Sequence, residues 1–214
     1  MKNLRLRVKE DGNVYVSCPY GVPVSEIESF VERKKDWIAE QRAKLSKLNS
    51  NSENGISDGS VITIFGNKYP VRIAEGKGDA FIENDTVIVP SSGLYSVETS
   101  VIKLLGEECR KECMDAAFCF LRAAGYNGPQ PKLAFKYMKS KWGSYNSAKN
   151  EITLNLALCK IPKKYVYYVV AHEIVHIYAR NHSKSFYELG EKIYRDFLKT
   201  DRELNKIGIP PLLS

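Results

Sequence analysis

Residues 172–182 read His-Glu-Ile-Val-His-Ile-Tyr-Ala-Arg-Asn-His and contain every histidine of the chain: His172, His176 and His182. A helix carries residues i and i+4 on one face, one turn apart, so His172 and His176 can present two imidazoles to one metal ion. The H-E-x-x-H spacing is that of a zinc site in which Glu173 acts on water without replacing a ligand. Such a site takes three protein ligands and keeps one position for water, and His182 is the natural third. This constrains the fold. In a straight helix His182 would stand about 15 Å along the axis from His172, too far to share an ion. The helix must therefore end near Tyr178 to Asn181 and the chain must turn back. Asn181 suits that reversal, because Asn accepts a left-handed helix terminus.

The segment before the motif, Tyr165-Val166-Tyr167-Tyr168-Val169-Val170-Ala171, is apolar or aromatic on all sides and reads as a buried helix. Two histidines and a glutamate buried there without a metal would leave polar groups unpaired, at a cost of several kcal/mol each by transfer estimates. A downstream carboxylate, Glu188 or Glu191, is the alternative third ligand. The metzincin pattern wants Gly at position 179 and a methionine downstream. Position 179 is Ala, and Met1, Met114 and Met138 all lie upstream, which argues against that class.

A chain of 214 residues holds one domain, or one with a smaller appendage. No apolar run approaches the roughly 18 residues that span a bilayer. The charged start Met1-Lys2-Asn3-Leu4-Arg5-Leu6-Arg7 is unlike a signal peptide, so a cytoplasmic location is expected. The five cysteines, Cys18, Cys109, Cys113, Cys119 and Cys159, form no C-x-x-C and indicate neither a disulfide framework nor a zinc knuckle. Cys109 and Cys113 read as small buried residues of a helix.

The net charge of +7 is unevenly spread. Residues 51–100 hold three basic and seven acidic residues, whereas no acid lies between Asp115 and Glu151. That stretch carries Arg122, Lys132, Lys136, Lys139, Lys141 and Lys149. It reads either as a solvated face or as a surface that attracts an anionic substrate, nucleotide or nucleic acid.

The periodicity predicts an α+β fold. Residues 4–9 and 13–18 read as short strands joined at Asp11-Gly12. Ser25 with Glu28 forms a capping box for a helix with Ile27, Phe30, Val31, Ile38, Leu45 and Leu48 on its inner face and Trp37 as a core anchor. Asn49 to Ser60 reads as a linker or loop. Strands follow at Val61–Phe65, Tyr69–Ile73 and Thr86–Val89, then a long helix from about Val97 to Ala124 that stops at Gly125. Leu133–Lys139 and Glu151–Leu158 read as paired strands, the second with Glu151, Thr153, Asn155 and Ala157 on its outer face. Pro162 opens the metal helix. Ser183 caps a last helix with Phe186, Leu189, Ile193 and Phe197 inward. These elements divide the chain into an N-terminal strand-helix-strand region, 1–95, and a metal-binding domain, 96–214.

Lys141-Trp142-Gly143-Ser144-Tyr145, Ile152-Thr153-Leu154-Asn155-Leu156, His172-Glu173-x-x-His176, and Asn181-His182-Ser183 with Phe186 occur in that order. In this the chain resembles the YgjP-like branch of the SprT/YgjP zinc metallopeptidase-like proteins, and the likeness extends over its whole length. The resemblance implies a zincin-like domain, its H-E-x-x-H helix packed on a small antiparallel or mixed sheet. It also implies Zn2+ held by His172, His176 and His182, with Glu173 as general base. Lys141 stands where the family usually has Arg, Tyr145 where it has Cys and Tyr187 where it has Trp. Arg and Lys differ in bidentate binding, so specificity at position 141 can differ too.

A zinc-dependent hydrolase is therefore expected. A metallopeptidase comes first, with Glu173 moving the proton of a metal-activated water. A nucleotide pyrophosphatase or phosphohydrolase and a nucleic-acid-associated protease are the alternatives. Lys141, Trp142, Tyr178 and Arg180 are candidate substrate contacts, with Trp142 weighted towards packing. If the strand that precedes the metal helix lies at the sheet edge, an extended peptide can pair with it.

Overall fold

The computed structural model describes residues 4–8, 14–18, 21–40, 55–92 and 96–213. It divides into two compact units, residues 1–55 and 56–214. The expected Asp11-Gly12 turn, Leu45, Leu48 and residues 49–54 of the expected linker lie outside the described residues.

In the first unit β1 (Arg5–Val8) pairs antiparallel with β2 (Val14–Ser17). Helix α1 (Val24–Arg33) begins one residue before Ser25 with Pro23 at its N-cap, so the expected capping box does not form. A turn at Lys34 interrupts the helix before a further helical stretch over 35–40. The described members of the expected stripe hold, with Ile27, Phe30 and Val31 half-buried and Ile38 buried, whereas Trp37, expected as a core anchor, is 40% exposed.

In the second unit, β3 (Val61–Ile64), β4 (Asn67–Ala74), β5 (Phe81–Glu83) and β6 (Thr86–Pro90) form a mixed sheet of order β3-β4-β6-β5, with β4 and β6 parallel. Phe65 and Gly66, both at positive φ, make the two-residue hairpin turn between β3 and β4. Helix α2 (Val97–Ala123) starts at Ser96, whose hydroxyl accepts from the Thr99 amide, and ends where Gly125 takes a φ of 65°. Its buried face includes Val101, Leu105, Cys109, Cys113 and Ala117. Ile62, Ile64, Val71, Val87 and Val89 share one apolar core with that face and with the metal helix, so residues 56–92 pack as part of the second unit.

The second sheet carries the site. Strands β7 (Lys132–Lys136), β8 (Gly143–Asn146) and β9 (Glu151–Asn155) are ordered β7-β9-β8, with β7 and β9 parallel and β8 antiparallel to β9. β9 is the middle strand, and the face expected to point outward is covered: Thr153 is 9% exposed and Asn155 is fully buried. The strand ends at Asn155, where the chain turns into a 3-10 helix (Leu156–Lys160). The Asn155 side chain satisfies four backbone groups. Its Oδ1 accepts from the amides of Met138 (3.2 Å) and Ala157 (3.0 Å), and its Nδ2 donates to the carbonyls of Met138 (2.6 Å) and Lys141 (2.7 Å). A buried amide costs little only when paired in this way, and the pairing fixes where residues 138–141 deliver the chain into β8.

Helix α3 (Lys163–Val175) follows Pro162 and is buried along most of its length. The β3–β4 hairpin braces its start: the Phe65 amide donates to the Cys159 carbonyl at 2.6 Å, and a Cβ on Gly66 would lie 3.0 Å from Pro162 Cγ. The expected single last helix is two, α4 (Lys184–Ile193) and α5 (Phe197–Leu204), separated where Asp196 adopts a φ of 64°. Ser183 sits at the N-cap of α4, but its hydroxyl meets Ser185 instead of a backbone amide. The fold is thus mixed α+β with small mixed sheets. No helix among the described residues is long and apolar enough to cross a membrane.

Candidate metal centre

The reversal required by the histidine spacing is present, and it comes earlier than expected. Helix α3 ends at Val175 with His176 as its C-cap, and the amides of Ile177 and Tyr178 donate to the carbonyls of Ile174 and Val175 in tight turns. Asn181 does not take a left-handed conformation. The turns alone bring His182 back: its Nε2 lies 3.1 Å from His172 Nε2, which lies 3.2 Å from His176 Nε2. These three histidines are the one convergent set of metal-ligating side chains among the described residues.

The set can be tested against zinc. Zn–N bonds of about 2.0–2.1 Å in a tetrahedron place ligand nitrogens about 3.3 Å apart, and the two separations above match. The alternative carboxylates are engaged elsewhere: Glu191 accepts from the Leu198 amide at 2.9 Å, and Glu188 lies 3.7 Å from Lys184. Burial and the neighbouring His176 and His182 push the His172 pKa down to about 3, and burial lowers that of His176. Both are therefore neutral at ordinary pH, as ligation requires.

The imidazoles are held from behind. His172 Nδ1 is 2.9 Å from the Tyr168 hydroxyl, and His176 Nδ1 is 3.0 Å from the Ala179 carbonyl. The fully buried Phe186 of α4 packs against all three rings, with centroids 4.7–5.0 Å away. Phe197 of α5 lies nearly parallel to His172, 13° between planes at 6.1 Å.

Glu173 is 5% exposed and faces β8. The Tyr145 amide donates to its carboxylate, while Oε2 is buried with no hydrogen-bond partner. Burial raises the Glu173 pKa to about 8, against the pull of that amide and of the Lys141 charge. A Cβ at position 143 would lie 2.7 Å from Glu173 Oε1, so only glycine lets the strand approach this closely. A cleft of about 330 Å³ opens here, lined by Gly143, Ser144, Tyr145, Ser147, His172, Glu173, His176 and Arg180.

Of the candidate substrate contacts, Arg180 lines the cleft and Lys141 acts on Glu173 through its charge. Trp142 is half-buried against the core. Tyr178 turns to the end of α2, donating to the Ala124 carbonyl at 3.2 Å. Of the departures from the family pattern, Tyr145 uses its hydroxyl to reach Asn150 at 3.0 Å, and Tyr187 lies beside His182. Gly143, Asn155, Tyr168 and Asp201 were not singled out as site residues from sequence. Of these, Gly143 and Asn155 lie within the motifs that carry the resemblance, whereas no motif marks Tyr168 or Asp201.

The YgjP-like metallopeptidase domain matches residues 2–207. No curated protein matches. Among solved structures, the metallopeptidase zymogen of Pyrococcus abyssi abylysin is 25% identical with a TM-score of 0.40, and that of Methanocaldococcus jannaschii jannalysin is 17% identical with a TM-score of 0.40. Each match covers 44% of this chain and 94% of the other.

Proposed function

The chain belongs to the YgjP-like metallopeptidase domain family, and from that premise we propose that it is a zinc-dependent peptidase of zincin-like design. In this reading His172, His176 and His182 hold the metal and Glu173 is the general base. The observation that carries it is the convergence of His176 Nε2 and His182 Nε2 on His172 Nε2, at 3.2 and 3.1 Å, beside a buried, half-unpartnered carboxylate. Zinc bound there supplies a Lewis acid that lowers the pKa of water towards 7 and polarises a carbonyl.

The chain's own groups do the rest. Glu173 lines the cleft, so its carboxylate can take a proton from water there and return it to the leaving amine. The Tyr145 amide holds that carboxylate in place. The burial that raises the Glu173 pKa also makes the ionised form a stronger base. β8 is an edge strand whose residues line the cleft, and an extended peptide can add alongside it. This is the edge strand of the site sheet; β9, which directly precedes the metal helix, is central. Arg180 and Lys141 add positive charge for acidic side chains or a terminal carboxylate.

The test compares the zinc-loaded protein with Glu173→Gln on a peptide library read by mass spectrometry and on nucleoside triphosphates read by phosphate release. Peptide cleavage reduced by about 10²–10⁴-fold in the variant, with zinc content unchanged, is the expected result. Glu173-dependent nucleotide cleavage without peptide cleavage would overturn the peptidase reading in favour of a phosphohydrolase. Equal activity of the two proteins would overturn the role of Glu173.

A further inference from the structure

Two one-turn pairs face each other behind the metal centre: Tyr168 and His172 on α3, and Phe197 and Asp201 on α5. Tyr168 is 3% exposed, its ring packs on Phe197 at 4.8 Å, and its hydroxyl donates to Asp201 Oδ1 at 2.6 Å. A phenol has a single proton. With that proton given to Asp201, the 2.9 Å contact with His172 Nδ1 requires the imidazole to be the donor. His172 then carries its hydrogen on Nδ1, and the Nε2 lone pair is directed at His176 and His182.

We propose that Tyr168 and Asp201 are positioning residues of the metal centre: an Asp201–Tyr168–His172 relay from the C-terminal helix that fixes the His172 tautomer and orients its ring for metal. The proposal rests on the reading of His172 as a ligand. The partner behind a metal-bound histidine is commonly a carboxylate, carbonyl or water. Here the carboxylate acts through an intervening phenol, which lets an element beyond the α4–α5 break reach the ligand. Asp201 also accepts from Asn205 Nδ2 at 3.3 Å, which holds the acceptor in place within α5. Phe197 stacks on the ring that the relay orients, so one face of α5 supplies both the apolar and the polar support of His172.

The experiment has two readouts on the full chain. In chelator-treated protein, long-range ¹H–¹⁵N correlation of the imidazoles reports the His172 tautomer; competition against a chromogenic chelator reports zinc affinity. Wild-type protein should show the Nδ1–H form. Tyr168→Phe should lose that bias and bind zinc about 10–100-fold more weakly. Asp201→Ala should lower affinity comparably, and the double variant should be no more than about twofold below the weaker single variant, because both act on one chain of bonds. Asp201→Asn keeps an oxygen acceptor for the phenol and should retain most of the affinity, which covers the case in which the alanine variant does not fold. An Nε2–H tautomer in the wild type, affinity of Tyr168→Phe within twofold of wild type, or fully additive losses would each overturn the relay. The tautomer is read without metal. It therefore judges the relay even if the wild-type protein binds no zinc, an outcome that would sink the zinc reading.

Discussion

On the helical wall of the cleft, His172 is backed by Tyr168, His176 by the Ala179 carbonyl, and all three imidazoles by Phe186. On the strand wall, Glu173 receives one amide from Tyr145, and its second oxygen is buried without a partner. The residues are sequence neighbours, yet their surroundings obey opposite rules. His172 and His176 have their Nδ1 atoms engaged and Phe186 packs on all three imidazoles, although His182 is itself exposed. The Glu173 carboxylate is left under-satisfied, at a cost of about 1–3 kcal/mol for the orphaned group. Rigidity suits a group that must keep one lone pair aimed. An unmet hydrogen-bonding demand suits a group that must take up and release a proton.

Removing the apolar support of the helical wall should have the largest effect. Phe186→Ala deletes a fully buried ring and should destabilise the metal-free protein by about 3–5 kcal/mol in denaturant unfolding. A loss below 1 kcal/mol would mean that the histidine rings collapse into the space, and the contrast between a rigid and an unsatisfied wall would fail.

The strand wall makes a pH prediction of smaller size. The Glu173 pKa is raised by burial from 4.5 to about 8, so between those values the folded state holds more protons than the unfolded one. The Glu173 contribution to the stability of the metal-free protein should therefore fall as pH rises through this window, by a few kcal/mol at most, while His172, with its pKa lowered to about 3, contributes in the opposite sense below 6.5. Glu173→Gln should remove that part of the slope and gain on the wild type most at the alkaline end. Thermal unfolding at several pH values with chelator present checks this. Parallel curves for the two proteins would show that Glu173 is better solvated than its burial implies.

The two walls also differ in how far the sequence announced them. The histidines are readable because a four-residue spacing means one helix face whatever the rest of the chain does. The need for a reversal before His182 followed from helix rise alone, although its location and the role given to Asn181 did not hold. The strand wall depends on long-range placement. Alternation puts Asn155 on an outer face, but the segment of Met138 to Lys141 bonds to its side chain, and coverage by another segment cannot be inferred from a two-residue period. The split between α4 and α5 was hidden for a related reason. Phe186, Leu189, Ile193 and Phe197 keep a helical spacing across the break, and Asp196 in a left-handed conformation is not a strong signal. Without that break α5 would not return to Tyr168, and Asp201 would have no visible connection with the site.

Gly143 tests the contrast most selectively, with the smallest expected effect on folding. Its backbone lies so close to Glu173 that an added methyl would meet Oε1 at 2.7 Å, Cγ at 2.8 Å and Cδ at 3.0 Å. The carboxylate terminus could swing aside, but Cγ is nearer its helix and yields less. Gly143→Ala should therefore displace the base while leaving the histidines untouched, because Phe186, Tyr168 and Ala179 hold them from the opposite side. Peptidase activity should fall at least about tenfold, roughly 1.4 kcal/mol in the barrier, with zinc affinity within threefold of wild type. Tyr168→Phe is expected to do the reverse at the level of binding and weaken zinc first. If Gly143→Ala instead released the metal, the two walls would be one mechanical unit, and the strand would support the ligands as well as the base.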